Sequence, residues 1–171
     1  MNDYSEGLDQ WDYIDDEYFD EALSKYGELI GHLLMHFSVL EHELNVAIAE
    51  MISGRTHEIG YAIMERMAMR NKIELFYKLY NMYATAMGEQ KEDLEKIKNA
   101  LIEINDFRNL IAHANWLTIQ NNGSVRTKFI SDKNTGWIKF KNIVIKPEDI
   151  LAQIEAIQDL TEKIDELDYL S

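Results

Sequence analysis

The chain has 171 residues, a formal net charge of −14, 46% hydrophobic residues and 28% charged residues. This length is enough for one domain with a full hydrophobic core, and the composition is that of a globular chain. The absence of cysteine excludes disulfides, thiol chemistry and thiolate metal sites. No apolar run is long enough to cross a bilayer, and the N-terminus is acidic where a signal peptide is basic. We therefore expect a cytoplasmic protein with no membrane partner.

Residues 1–20 are predicted to form an acidic N-terminal arm. Residues 1–21 contain nine acidic side chains and neither lysine nor arginine. The aromatic residues among them have no regular period, which indicates an arm or a short helix. The remainder, residues 21–171, is predicted to form a single helical domain.

Three helices are predicted next, over residues 16–51, 56–87 and 91–114. In each of them apolar residues recur at steps of three and four, which is the period of a helix with one buried face. The predicted core residues are Leu33, Phe37, Leu40, Leu44, Ile48 and Met51 in the first helix, Ile59, Ile63, Met67, Ile73, Phe76, Tyr80 and Tyr83 in the second, and Leu94, Ile97, Leu101, Ile104 and Ile111 in the third.

After the third helix the pattern changes to the alternation that is typical of β-strands. Strands are predicted over residues 116–120, 125–130 and 137–145, with the turn sequence Asn-Asn-Gly-Ser between the first two. Pro147 then begins a last helix at a position where proline is favoured. The predicted fold is mainly α: an up-and-down bundle of four to five helices. A small antiparallel β-hairpin or meander, about residues 115–146, is inserted before the last helix.

Positive charge is concentrated in this predicted hairpin. Within it six basic residues face a single acid, which gives the segment a charge of +5 in an acidic chain. Phosphate chains respond to local patches rather than to the net charge, so RNA is a candidate ligand. Alternation predicts that Arg126 and Lys128 share one face of their strand, and that Trp137, Lys139 and Lys141 share one face of the next. We predict that Arg126, Lys128, Lys139 and Lys141 bind RNA.

One charged residue interrupts the apolar face of the third helix. Arg108 takes the next position of that stripe, and His113 follows five residues later. Arginine binds phosphate through a rigid fork of donors, and histidine exchanges protons near neutrality. The pair is a minimal set of groups for phosphodiester chemistry without a metal. Residues five apart on a helix point about 140° from each other, so we expect two copies across a two-fold axis to form one cleft.

The residues Arg108, Asn109 and His113, late in a helical bundle, resemble the signature of the HEPN superfamily, which is Arg, a polar residue, several further residues and His. The run from Ile111 to Trp116 is similar to one subset of these proteins, and the resemblance covers roughly residues 26–167. It implies a bundle of four or five helices that forms a homodimer with the motif at its interface. It also implies a ribonuclease that needs no metal or other cofactor and acts as a toxin, with an antitoxin protein as partner, or in phage defence.

The resemblance also implies roles for individual residues. His113 would be the general acid and base, Arg108 would stabilise charge on the phosphorane oxygens, and Asn109 would fix the arginine or contact phosphate. Several HEPN families carry an acidic residue on an early helix that faces the Arg/His pair. Glu41 is the candidate here, with Glu28 and Glu43 as alternatives and a partly solvated surface role equally open.

Other interpretations of the same residues stay open at this point. His32 and His36, with Glu43, form half of a zinc-binding pattern, and we favour a polar face or a subunit contact over a metal. The chain could be a HEPN-like module that binds nucleotide, RNA or a partner protein without cleavage. It could also be a structural dimer in which Arg108 is an ion-paired core residue. A further hypothesis is that the acidic residues 1–21 cover the basic hairpin as an internal RNA mimic.

Overall fold

A computed structural model describes residues 4–6, 16–54, 56–87, 92–131 and 138–167. Within these ranges it contains five α-helices and a three-stranded antiparallel sheet, with two of the strands placed before the last helix. The predicted fold class is therefore confirmed. None of the helices in these ranges is both long enough and apolar enough to cross a membrane. The elements are α1 (Asp16–Ile52), α2 (Glu58–Met64), α3 (Met69–Met87), α4 (Glu92–His113), α5 (Pro147–Asp165), β1 (Tyr4–Glu6), β2 (Ser124–Ser131) and β3 (Ile138–Val144).

The first, third and last predicted helices are confirmed as α1, α4 and α5. Their apolar stripes are buried as the period of three and four requires, with Leu33, Leu101 and Ile150 fully inaccessible. The helix α5 begins at Pro147, and the Asp149 carboxylate accepts a hydrogen bond from the backbone N–H of Lys146 at 2.9 Å. The predicted boundary of the arm at residue 20 falls inside α1, which begins at Asp16.

The prediction of one helix over residues 56–87 was wrong, because α2 ends at Met64 and a separate helix, α3, begins at Met69. Two of its predicted core residues, Ile59 and Ile63, are 56% and 51% exposed. The face of α2 that is buried carries Gly60 and Met64 instead. A Cβ atom on Gly60 would lie 2.5 Å from Ala49 Cα, so this face lies directly against the backbone of α1. Close backbone packing thus decides the orientation of α2, in place of the larger side chains.

The first predicted strand, residues 116–120, was also wrong. Trp116–Thr118 forms a 3₁₀ turn, and the third strand of the sheet is β1 from the N-terminal arm, in the order β1-β3-β2. The turn at Gly123 has φ +82°, a conformation that favours glycine. The Thr118 hydroxyl accepts a hydrogen bond from the Arg126 N–H at 3.0 Å, and the Asn115 N–H donates to the Arg126 carbonyl at 2.8 Å. The 3₁₀ turn is therefore held to β2 by a side chain and by one isolated β-bridge.

The chain divides into two compact units, each with its own buried residues. The first consists of Met1–Leu33 and Asn109–Ala152, and the second of Leu34–Arg108 and Gln153–Ser171. Large apolar side chains that are fully buried in the first unit are Leu33, Ile111, Ile119, Ile145 and Ile150. Those in the second unit are Leu40, Leu44, Ile48, Ile73, Phe76, Leu101 and Ile157.

Candidate functional site

The three motif residues lie in the last turns of α4, but in different surroundings. Arg108 is half-buried, and its guanidinium carbon lies 4.9 Å from the centre of the buried Phe37 ring on α1. An arginine over an aromatic face gains cation–π attraction, and its N–H groups donate in the plane of the guanidinium. Asn109 is half-buried, whereas His113 is the last residue of α4 and is exposed. The histidine can therefore reach a ligand from solvent.

Glu41 is engaged by a lysine that the motif did not indicate. Its Oε1 atom accepts a hydrogen bond from Lys72 Nζ at 2.7 Å. The Lys72 side chain is 9% exposed and the Glu41 side chain 33%. Lysine is almost never buried unless it is paired, so this contact accounts for its position. Of the two alternative acids, Glu28 is exposed and Glu43 is half-buried.

The cationic groups of Arg108 in α4 and Lys72 in α3 contact successive turns of α1. Phe37 contacts the arginine and Glu41 contacts the lysine, and residues four apart on a helix are neighbours on its surface. This brings Arg108 and the predicted Glu41 onto the same strip of the second unit, with Lys72 as a third member. The arrangement combines two cations, one carboxylate and one aromatic ring.

Lys72 could have been found in the sequence by the argument that singled out Arg108. It lies three residues after Met69 and four before the buried Phe76, so it occupies an apolar face of its helix. A charge in such a position requires a partner of opposite sign. The sequence signal was present, but the predicted stripe used the neighbouring Ile73, which is also buried.

Two of the predicted RNA-binding lysines lie directly opposite each other in the sheet. Lys128 on β2 is paired with Lys141 on β3, and their side chains are exposed and half-buried. Like charges directly across an antiparallel pair repel, because their Cβ atoms are only about 5 Å apart. An anion between them would relieve that repulsion. Lys139 is paired with Ile130 through its backbone, while its side chain lies outside the described residues, as does Trp137.

The prediction that Arg126 and Lys128 share a face was wrong. A β-bulge between them shifts the register, so that Arg126 is paired with Asn142 and Lys128 with Lys141. Asn142 and Lys141 are successive residues of β3 and point to opposite faces of the sheet. The extra residue of the bulge therefore separates Arg126 from the lysine pair. The face that carries Lys128 and Lys141, here named the lysine face, does not include Arg126.

Trp116 holds the chain beyond α4 through two contacts in the first unit. Its indole N–H donates to the Ile111 carbonyl at 3.0 Å, and its ring centre lies 5.4 Å from that of Tyr26. The Tyr26 hydroxyl in turn donates to the Ile145 carbonyl at 3.2 Å. Burial raises the pKa of Tyr26 above its ordinary value of 10.0, with smaller contributions from Tyr18, Glu148 and Asp149. These contacts make Trp116 an anchor for the chain segment that follows α4.

The histidines of α1 do not assemble with acids or with each other into a metal-binding group in the described ranges, where no cluster of three His, Asp or Glu side chains has suitable spacing. His36 Nε2 lies 3.5 Å from the side-chain amide of Gln158 on α5, and His32 is exposed. The contact of His36 with an amide places it on a polar face of the second unit.

Comparison with protein-family models, with curated proteins and with solved structures found no match to this chain. The resemblance to HEPN proteins therefore depends on the motif and on the mainly helical fold.

Proposed function

We propose that the protein is a homodimeric, metal-independent endoribonuclease of HEPN type that works in the cytoplasm. The observation that carries this proposal is the end of α4, where an exposed histidine follows an arginine whose guanidinium is held on an aromatic ring. Phosphodiester transfer needs a proton carrier that substrate can reach and a cation of fixed direction, and these two residues are of those types.

The proposed reaction is an in-line transfer within the RNA. The 2′-oxygen forms a bond to the adjacent phosphorus, the bond from phosphorus to the 5′-oxygen breaks, and a 2′,3′-cyclic phosphate remains. One base must accept the 2′-hydroxyl proton and one acid must protonate the leaving 5′-oxygen. Histidine serves both roles near neutral pH, and each is typically worth about 10²–10⁴-fold in rate. The neutral His113 imidazole of one subunit would accept the 2′-hydroxyl proton, and the imidazolium so formed would protonate the leaving 5′-oxygen, while Arg108 of the other subunit would contact the phosphate.

Arg108 and Asn109 would act on the phosphate itself. A guanidinium that is already ordered on Phe37 loses less rotamer freedom when it binds two phosphate oxygens, which favours its stabilisation of the transition state. Asn109 would contact phosphate or hold the arginine. Glu41 and Lys72 would be positioning residues, because their ion pair fixes the turn of α1 that follows Phe37.

The lysine face would guide the RNA strand. Lys128 and Lys141 concentrate positive charge at one place, which counterion release converts into salt-dependent affinity for a phosphate chain. Lys139 and Arg126 were predicted to join them. The bulge removes Arg126 from the lysine face, so in this proposal it contributes only to the local charge.

Cleavage of a fluorescent single-stranded RNA by the purified protein in EDTA tests this proposal. We expect cleavage to fall by at least about 10²-fold in His113→Ala and in Arg108→Ala. His42→Ala and Arg66→Ala are matched controls, since both side chains are exposed and lie outside the motif. A substrate with a single 2′-deoxynucleotide at the cleaved position should resist cleavage there. Equal cleavage by the wild type and both motif variants would refute the proposal.

A second candidate is a module that binds RNA without cleaving it, and the opposed lysines favour it specifically. Binding of the same RNA by wild-type protein, lost in the Lys128→Ala/Lys141→Ala double variant and accompanied by no cleavage, would establish this alternative.

If the ribonuclease is a toxin, its expression should arrest cell growth, the two motif variants should relieve the arrest, and an antitoxin protein should bind the wild type.

A further inference from the structure

The N-terminal arm contributes an edge strand to the sheet that carries the lysine face. β1 pairs with β3 in antiparallel fashion, with Tyr4 opposite Lys141 and Glu6 opposite Lys139. Because the strand order is β1-β3-β2, Lys141 has Lys128 as its neighbour on one side and Tyr4 on the other. The register thus puts an acid directly across from one lysine of β3 and a tyrosine across from the next.

The charge distribution explains why this pairing occurs despite the small size of β1. Five acids precede α1 and no base accompanies them, whereas the segment that contains β2 and β3 carries +5. Attraction between these segments adds to the backbone hydrogen bonds of the edge. An RNA strand would be drawn to β3 by the same charges. The acidic arm and a polyanion are therefore alternative ligands of one surface.

The size of β1 indicates that it can be displaced. It has three residues, and each cross-strand pair makes only a small contribution to stability. Elements with few contacts open at a small fraction of the global unfolding free energy. A ligand that offers several phosphates to the lysines can bind more strongly than β1 does, whereas a single anion cannot replace the whole strand.

We infer that β1 is an autoinhibitory strand, which competes with single-stranded RNA for β3 and the lysine face. This inference rests on the polyanion-binding role of that face in the proposed function. RNA binding would release the arm, so the arm would set the threshold of RNA length and salt at which the protein engages its substrate. Short RNA would be excluded first, because it offers the fewest phosphates against the same competitor.

The test compares two variants that change the net charge by the same amount. In the first, the five acids that precede α1 are replaced by their amides. In the second, five acids on or just beyond α5 are replaced by amides, all of them exposed: Glu155, Asp159, Glu162, Asp165 and Glu166. Anisotropy of a labelled 20-nucleotide oligouridine is measured for both and for the wild type, from 50 to 200 mM salt.

We expect the arm variant to bind more tightly than both other proteins at low salt. Release of two lysines adds about 1.4 to the slope of log affinity against log salt, at roughly 0.7 per phosphate contact for single strands. The advantage over the wild type should then shrink roughly sevenfold between 50 and 200 mM salt. If both variants gain equally, net charge is the cause and the inference is overturned. If the arm variant does not gain, the inference is also overturned.

Hydrogen exchange gives a second readout that does not depend on the substitutions. On addition of the oligouridine to wild-type protein, the amides of residues 4–6 should exchange faster while those of β2 do not. Slower exchange in residues 4–6 would overturn the inference. These results test the ribonuclease and the autoinhibitory strand separately. Displacement of the arm without RNA cleavage would refute only the proposed ribonuclease. RNA cleavage with no effect of the arm would refute only the inference about β1.

Discussion

The ion pair between Lys72 and Glu41 predicts an asymmetric cost for removing its two members. The Lys72 side chain is 9% exposed and that of Glu41 33%. Glu41→Leu leaves a buried ammonium without its carboxylate, which costs about 3–5 kcal/mol of unfolding free energy for a buried pair. Lys72→Met leaves a carboxylate that water can reach, and its cost should be nearer to that of one unsatisfied polar group, about 1–3 kcal/mol.

The double variant Glu41→Leu/Lys72→Met should recover most of the loss. Replacing both members of a buried pair by apolar residues of similar volume is often neutral, so we expect it within about 1 kcal/mol of the wild type. Urea unfolding followed by circular dichroism measures all four free energies at constant m-value. The exposed pair of Arg70 and Asp106, with N and O atoms 3.9 Å apart, is the control and should show a coupling below about 1 kcal/mol.

Two results would refute this reasoning about the pair. The first is a cost for Lys72→Met that equals or exceeds the cost for Glu41→Leu. The second is additivity of the two single variants, since residues that share a buried contact must couple.

Two further predictions concern the first unit. Gly123→Ala should destabilise the protein by at least about 1–2 kcal/mol, because the residue has φ +82° and its Cβ would lie 2.5 Å from the Ile145 carbonyl oxygen. Gly31→Ala is the control: a Cβ on this residue of α1 would have no neighbour within 4 Å, so it should stabilise by roughly 0.5–1 kcal/mol. Thermal unfolding measures both variants, and an equal effect at the two sites would contradict this difference in surroundings. Tyr26→Phe should cost about 0.5–1.5 kcal/mol through its hydrogen bond to Ile145. Because the pKa of Tyr26 is raised in the folded state, its contribution is complete below pH 10 and declines as pH rises above 10, where the unfolded chain ionises first. The difference in unfolding free energy between the wild type and Tyr26→Phe should therefore narrow from pH 9 to pH 11. A difference that widens would contradict a raised pKa of Tyr26 in the folded state.

The long helices were predictable because local period and burial agree along them. The stripes of α1, α4 and α5 have one apolar residue at almost every step of three or four, and no tertiary contact overrides that pattern. The break after Met64 carried no such signal, since good helix formers fill the sequence around it. It depends on the close approach of Gly60 to Ala49, which is a property of the packed chain.

The candidate site likewise has features that the sequence pattern predicts and features that depend on tertiary packing. A charge in an apolar stripe marked Arg108, and the same rule marks Lys72, so both could be found from spacing. The partners of these charges could not, because contacts between different helices decide that Phe37 meets the arginine and that Glu41 meets the lysine. The bulge that separates Arg126 from Lys128 and the pairing of β1 with β3 are likewise set by strand register, which alternation alone does not fix.

The central claim is that Arg108 and His113 act from different subunits of one dimer, and subunit mixing tests it most directly. Arg108→Ala and His113→Ala proteins are unfolded together, refolded at equal concentrations and assayed for RNA cleavage in EDTA. Mixed dimers retain one arginine and one histidine on different chains, so we expect cleavage that neither parent shows. Wild type mixed with an excess of the Arg108→Ala/His113→Ala double variant keeps both residues on one chain and should lose activity. A first mixture as inactive as its parents, with activity retained in the second, would contradict the claim.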